Sequence, residues 1–178
     1  MDAHTQHLTL WRFRFTGGDS DLAGLSKAVP GIRLYRALDG DEACGYAPAG
    51  LDLGVEPTAL AGAQRVALRC TLQTSGAAVG EQAPFHYVVA TDVLPEHDAD
   101  FNAWYDTEHL PGLAAVPGTV QAARYRCEGP GPLYHACYDL AALSAFNSAP
   151  WLAVRASDWS SRIRPQFRNT QRVMYRRL

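Results

Sequence analysis

In the stretch HLTLWRFRF, Leu8, Leu10, Arg12 and Arg14 alternate with Thr9, Trp11, Phe13 and Phe15, and this period of two predicts a strand over residues 7–15. GGDS breaks the pattern, and Asp19 or Ser20 is placed to cap a short helix running to about Lys27. VPG at Val29–Gly31 ends that helix, and IRLYRAL predicts a second strand. Residues 40–63 are rich in Gly, Ala and Pro and carry no clear period, whereas QRVALRCTLQT, Gln64 to Thr74, reads as a strand again. SGAAVGEQAP, Ser75 to Pro84, is a small-residue linker and the clearest boundary in the chain.

After the linker the order recurs. FHYVVATDV, Phe85 to Val93, predicts a strand, and Asp98 and Asp100 suit the first turn of a following helix, where carboxylates meet the positive helix end. That helix is expected to stop near Leu110, because Pro111 disfavours helical geometry just before it. A second VPG, Val116–Gly118, leads into TVQAARYRCEG and then GPLYHACYDL, two strands joined by the turn residues EGPGP. Ser148 is expected to cap a helix starting at Pro150, Asp158 another short turn, and NTQRVMYRRL to form the last strand.

The second half thus reads β-α-β-β-α-β, the ferredoxin-like order, and the first half resembles a degenerate copy of it. The two copies are not in sequence register: Tyr35-Arg36 follows Gly31 by four residues, Tyr125-Arg126 follows Gly118 by seven. The expected fold class is α+β, with two tandem ferredoxin-like halves, residues 1–75 and 85–178, joined by residues 76–84. YHACY and YVVAT are apolar on both alternating sets, as in a sheet buried on both faces. A second antiparallel sheet packed against the first would cover it, giving an α+β barrel within one chain. The competing reading is one C-terminal unit with an unrelated N-terminal extension.

Composition narrows the function. The 178 residues are 47% hydrophobic, enough to bury a core, and only 19% charged, which suggests that surface is covered by a second copy of the fold or by a partner subunit, so a homodimer is admitted. A net charge of −2 gives no basic field for nucleic acid or acidic membranes. No apolar run approaches the roughly 18 residues that span a bilayer, and the opening MDAHTQHLTLWRF lacks a signal-peptide pattern. Cys44, Cys70, Cys127 and Cys137 form no CxxC and no zinc spacing, so free thiols in a cytoplasmic protein are expected. No phosphate loop, dinucleotide fingerprint, GxSxG or HExxH is present. Three separated histidines, His86, His109 and His135, have no metal-ligand spacing, and no metal or cofactor is expected.

The candidate chemistry lies in FNAWYDTEHLPGL, Phe101 to Leu113. At about 100° per residue, Phe101, Asn102, Trp104, Tyr105, Glu108 and His109 share an arc of roughly 160°, with Ala99, Ala103, Thr107 and Leu110 opposite. The aromatics of such an arc ordinarily pack in the core. Glu108 and His109 are the anomaly, because an unpaired carboxylate there is costly. Glu108 therefore either pairs, with Arg124 or Arg126, or joins a site. His109 either bonds a carbonyl or lines a cavity as acid or base, for which an unperturbed value near 6.5 suits it. Asn102, Trp104 and Tyr105 on the helix, and Arg124, Tyr125 and Tyr138 on the strands beside it, are the candidates for contacting a ligand.

DFNAWYDTEHLPGLAAVPGTVQAARY resembles the helix-to-strand segment of the EthD-like branch of the dimeric α+β barrel superfamily: an aromatic-rich helix ending in His, then Pro, a PG turn and a strand with Arg and Tyr. The matching positions are Phe101, Trp104, Tyr105, His109, Pro111, Pro117, Gly118, Arg124 and Tyr125. The resemblance covers most of residues 85–178 and little of residues 1–75, which lack an equivalent His. It implies two ferredoxin-like units closing a barrel, a pocket between sheet and helices, and either cofactor-free chemistry of oxidative or polyketide-catabolic type or no assigned activity. Haem at His109 is a further implication of the superfamily. The expectation is a small-molecule-binding barrel whose one pocket lies in the C-terminal half, with His109 and Glu108 as catalytic candidates for isomerisation, cyclisation, dehydration or oxygenation. The rival is a non-catalytic binding or structural protein.

Overall fold

The computed structural model describes residues 7–51 and 60–178. Eight antiparallel strands and five α-helices account for most of them. In chain order these are β1 (His7–Arg14), α1 (Asp19–Ala28), β2 (Arg33–Ala37), β3 (Glu42–Pro48), β4 (Gln64–Ser75), β5 (Phe85–Val93), α2 (Asp98–Trp104), α3 (Leu110–Ala114), β6 (Thr119–Cys127), β7 (Tyr134–Leu140), α4 (Ala149–Arg155), α5 (Asp158–Ile163) and β8 (Phe167–Arg177).

The strands close into a barrel in the order β1-β3-β2-β8-β5-β7-β6-β4. Each half supplies one quartet in the ferredoxin-like order, β4-β1-β3-β2 and β8-β5-β7-β6. The quartets join at two antiparallel seams, β2 against β8 and β4 against β6. Closure leaves no free sheet edge, the usual liability of a four-stranded sheet.

Period-two alternation sorts side chains onto the two faces of this sheet. Leu8, Leu10, Tyr35, Cys44, Tyr46, Leu68, Val88, Tyr125, Cys137 and Tyr175 fill the barrel lumen. Trp11, Phe13, Leu22, Leu25 and Leu34 pack between the first quartet and α1. Tyr87, Phe101, Trp104, Leu110, Tyr138, Trp151 and Ile163 pack between the second quartet and its helices. YHACY is buried at every position, as expected for a sheet covered on both sides. All four cysteines are unpaired, and each belongs to or packs against the luminal cluster.

The structure departs from the sequence reading at several boundaries. β3 falls inside the stretch that showed no period. Ala43, Cys44, Gly45, Tyr46 and Ala47 are all buried, so both faces are apolar and small and alternation vanishes. Gly18, not Asp19 or Ser20, precedes α1, and its N–H donates to Asp21 Oδ2 at 3.0 Å. Ser148 caps α4 as expected, its Oγ accepting from Trp151 N–H at 3.4 Å. Ser157 rather than Asp158 caps α5, with Ser160 N–H donating to Ser157 Oγ at 3.0 Å. Residues 52–59 of the weakly patterned region, and residues 1–6, lie outside the described residues.

The linker's first three residues are tied to the second half, Ala77 N–H donating to the Ala114 carbonyl at 2.9 Å and Ala78 N–H to the Thr119 carbonyl at 2.8 Å. Gly76 N–H donates to the Val120 carbonyl at 2.9 Å, and a Cβ at Gly76 would stand 2.0 Å from the Thr119 carbonyl oxygen, so only glycine fits. No helix among the described residues is long and apolar enough to cross a membrane.

Candidate functional site

The helical segment after β5 does not stop at Leu110. Between α2 and α3 lies one π-helical turn, Tyr105–His109, in which Leu110 N–H donates to the Tyr105 carbonyl five residues back. Pro111 then sits in the first turn of α3, where its missing N–H costs little. The wider turn also changes the helical phase. Leu110, expected on the outer side, is fully buried, while Phe101, Trp104, Tyr105 and His109 stay buried with it. π-turns of this kind recur at functional sites.

His109 lies flat on Trp104, ring centroids 4.1 Å apart and planes at 23°, and meets Tyr105 edge-on at 5.3 Å. These three residues line a small cleft between the second quartet and its helices. Tyr87 and Val89 of β5, Tyr138 of β7, Trp151 of α4 and Phe167 of β8 complete its apolar wall. Arg155, at the end of α4, Arg164, in the 3-10 turn after α5, and Arg172 of β8 supply its only cationic side chains. The cavity volume is about 30 Å³, room for roughly two waters.

Three buried polar atoms on these lining residues have no hydrogen-bond partner: His109 Nδ1, Trp104 Nε1 and Tyr138 Oη. An unmet buried donor or acceptor costs about 1–3 kcal/mol, so these three atoms are the cleft residues' unused hydrogen-bonding capacity. Burial, and then the nearby Arg155 and Arg164 charges, push His109 down to about 3, which makes it a neutral imidazole at physiological pH. Burial raises the phenols of Tyr87, Tyr105 and Tyr138, so all three stay protonated.

The other expected site residues go elsewhere. Glu108 is half-buried and accepts from Ser157 Oγ–H at 2.5 Å, tying the π-turn to the start of α5 rather than pairing with Arg124 or Arg126. Asn102 and Arg124 meet each other on the far side of Tyr105. Arg124 donates to Asn102 Oδ1 at 2.7 Å and to Asp106 Oδ1 at 3.0 Å, and lies 4.5–5.0 Å from the ring centres of Phe101, Tyr105 and Tyr134. Asn102 Nδ2 donates to the Asp98 carbonyl at 2.8 Å. This network clamps α2 to β6. Tyr125 points into the barrel lumen, on the opposite face of β6 from Arg124. Of the eight candidates, His109, Trp104, Tyr105 and Tyr138 therefore share the cleft, and Glu108, Asn102, Arg124 and Tyr125 do not line it.

Sequence reasoning missed Tyr87, Trp151 and the three arginines. The C-terminal arginines are visible in the sequence, but only the tertiary meeting of α4, the turn after α5 and β8 gathers Arg155, Arg164 and Arg172. The three histidines do not cluster either: His86 and His135 line luminal spaces, His109 the outer cleft. His86 Nδ1 pairs with Asp139 Oδ1 at 2.6 Å. Among the described residues no group of three or more His, Cys, Asp or Glu could hold a metal ion.

Neither a family model nor a curated protein matches the sequence. Solved structures match the fold over nearly the whole chain. A candidate monooxygenase from Fusobacterium nucleatum aligns with a TM-score of 0.69 at 11% identity, over 99% of this chain and 94% of its own. An anthrone oxidase-like protein aligns at 0.64 and 14%, over 100% and 94%. A major regulator of staphylococcal pathogenesis aligns at 0.62 and 9%, over 96% and 99%. At such identities the likeness establishes the fold alone: an α+β barrel of ferredoxin-like order, closed here by two halves of a single chain.

Proposed function

We propose that this chain binds a small apolar or aromatic molecule in the His109 cleft and acts on it without a cofactor. The carrying observation is the neutral, buried His109, stacked on Trp104 with an unpartnered Nδ1 beside a lined cavity. Isomerase, cyclase, dehydratase and cofactor-free monooxygenase reactions on such compounds share a first step, removal of a proton from a C–H or O–H made acidic by a neighbouring carbonyl or ring. His109 is the base for that step, Trp104 holds its ring plane, and the Tyr138 hydroxyl is free to donate to a ligand oxygen. The names of the Fusobacterium and anthrone-oxidase-like structures support the oxygenase member of the set.

The cleft as it stands admits little more than water, so ligand entry has to displace side chains. Trp104, Tyr138 and Trp151 are at most 1% exposed and fixed in the core. The arginines are half-buried or exposed and can swing. Haem does not fit: a macrocycle would have to displace the fixed aromatics as well, and the His109 ring is covered by Trp104. No step through haem is derived.

Assignment to the EthD-like branch is part of this proposal and rests on the FNAWYDTEHLPG segment. So is the division into units 1–75 and 85–178 joined by 76–84, supported by the strand-free stretch between β4 and β5. A cytoplasmic location is supported by the four free thiols. Self-association is supported by exposed Leu143 and Leu152 on the helical face.

A second reading, non-catalytic binding, is favoured by one observation: a histidine held at about 3 is a feeble base. The two readings separate by experiment. Aromatic polyketide-like phenols and anthrones are screened by tryptophan fluorescence and by turnover, against His109→Gln and His109→Ala. Wild-type turnover, lost in a folded His109→Gln, establishes the enzyme. Binding without turnover leaves the binding protein. Loss of several kcal/mol of stability in both variants, with no compound bound by the wild type, removes both readings and makes His109 a packing residue.

A further inference from the structure

Among the described residues the three arginines of the cleft make no ion pair, a state they share with Arg33, Arg65, Arg126, Arg168 and Arg177; what sets them apart is that they meet at one cavity. Arg12, Arg36, Arg69, Arg124, Arg162 and Arg176 each reach a carboxylate within 4 Å. Arg164 and Arg172 form no ion pair among the described residues. Among the described residues Arg155 meets a neutral partner, donating to Asn147 Oδ1 at 3.2 Å. Among the described residues no Asp or Glu lines the cleft, and Glu108, the nearest carboxylate in sequence to His109, is turned to Ser157. Three cations thus face one small apolar cavity and repel one another. Burial, followed by the Arg155 and Arg172 charges, lowers Arg164 from its ordinary value.

Like charges gathered without a counter-ion destabilise the empty protein. The neighbouring wall is flat and aromatic, and the unmet Tyr138 hydroxyl and His109 Nδ1 lie among these side chains. We propose, building on the ligand-cleft reading above, that the ligand is an anion: a small aromatic carboxylate whose ring lies among Trp104, Trp151 and Phe167 and whose charge is taken by Arg155, Arg164 and Arg172. Guanidinium forks match a carboxylate in two parallel hydrogen bonds, and their flexible stems let the cleft open and then fold over the guest. The arginines therefore serve both as the movable wall and as the charge that selects the ligand. Anion binding would offset the Arg155 and Arg164 charges at His109, but burial, the larger cause of its lowering, stays in the complex.

The test uses two probes of one shape, benzoate and neutral benzamide, titrated into the whole chain at neutral pH with tryptophan fluorescence as the readout, since Trp104 and Trp151 line the cleft. The expected result is that benzoate binds at least about tenfold more tightly than benzamide and that added salt narrows the gap. Arg164→Gln and Arg172→Gln should abolish the preference while leaving thermal stability unchanged or higher, because each relieves repulsion. Equal binding of the two probes overturns the anion inference and leaves the cleft reading standing. So does a benzoate preference that survives in both variants. No response to either probe removes the cleft reading and the inference with it.

Discussion

At the scale of single residues, the sequence marked Glu108 and His109 as polar groups on a buried-looking arc, and the structure separates them. Glu108 is explained by Ser157 and the His109 ring by its packing on Trp104 and Tyr105, while His109 Nδ1 keeps no hydrogen-bond partner. Periodicity could reveal that anomaly because it depends on local spacing. It could not reveal that Tyr125 would face the lumen while Tyr138 faced the cleft, since alternation alone does not say which face of a strand meets the helices. Buried neutral histidine has a consequence for acid stability. His109 sits at about 3 and His135 at about 4, both lowered chiefly by burial from an ordinary 6.5. The folded state refuses a proton that the unfolded state accepts, so their contribution is complete above pH 6.5 and is lost as pH falls below it. Each group removes up to about 1.4 kcal/mol per pH unit in that window. Asp139, lowered despite the opposing effect of burial because His86 bonds it, loses its contribution only below about the ordinary 3.8. Urea denaturation should therefore show stability falling between pH 6.5 and 4, with a smaller slope in His109→Gln. An unchanged slope in that variant would show that His109 is protonated in the fold.

At the scale of elements, strands with one polar or aromatic alternation were legible, and β3 was not, because small residues buried on both sides erase the period. The π-turn was illegible for a related reason. A wheel at 3.6 residues per turn assumes the α-helix throughout, and one five-residue turn rotates everything after it. Trp104 and Leu110, both fully buried, hold the two sides of that turn in one core. Deleting Thr107, which is exposed and whose Oγ donates to the Ala103 carbonyl at 2.8 Å, would let the segment wind as a plain α-helix. Leu110 and Leu113 would then stand four and seven residues after Tyr105 on a plain α-helix, so both keep to the buried side. The expected cost therefore stays below about 2 kcal/mol, the low end for emptying one buried leucine site, with a change in the tryptophan emission as the shortened turn shifts His109 on the Trp104 face. A stable protein with unchanged emission would mean that the turn is a local accident without a role in placing the imidazole.

At the scale of the whole molecule, the two-sided burial of the strands foretold a closed α+β barrel, but nothing in the sequence showed how unequally its halves are joined. The β4·β6 seam pairs seven positions, from Leu68 opposite Cys127 to Ser75 opposite Gln121, around one bulge. The β2·β8 seam pairs three, Tyr35 to Ala37 against Arg177 to Tyr175. The short seam is braced from outside by Asp19 at the start of α1, whose carboxylate binds Arg36 of β2 at 3.3 Å and also Arg176 of β8, so one acid spans both halves. Its partners, Arg176 first, hold Asp19 below the usual carboxylate range, so the brace is complete near neutral pH and is lost as pH falls through that lowered value. Both bonds are exposed and weaken with salt. Local opening should therefore begin at β2·β8. In native-state hydrogen exchange, amides of residues 35–37 and 175–177 are expected to exchange well before those of 68–75 and 121–127. Asp19→Asn or high salt should quicken the first set several-fold and leave the second alone. Equal protection at both seams, insensitive to Asp19, would instead make the barrel one cooperative unit with no weak join.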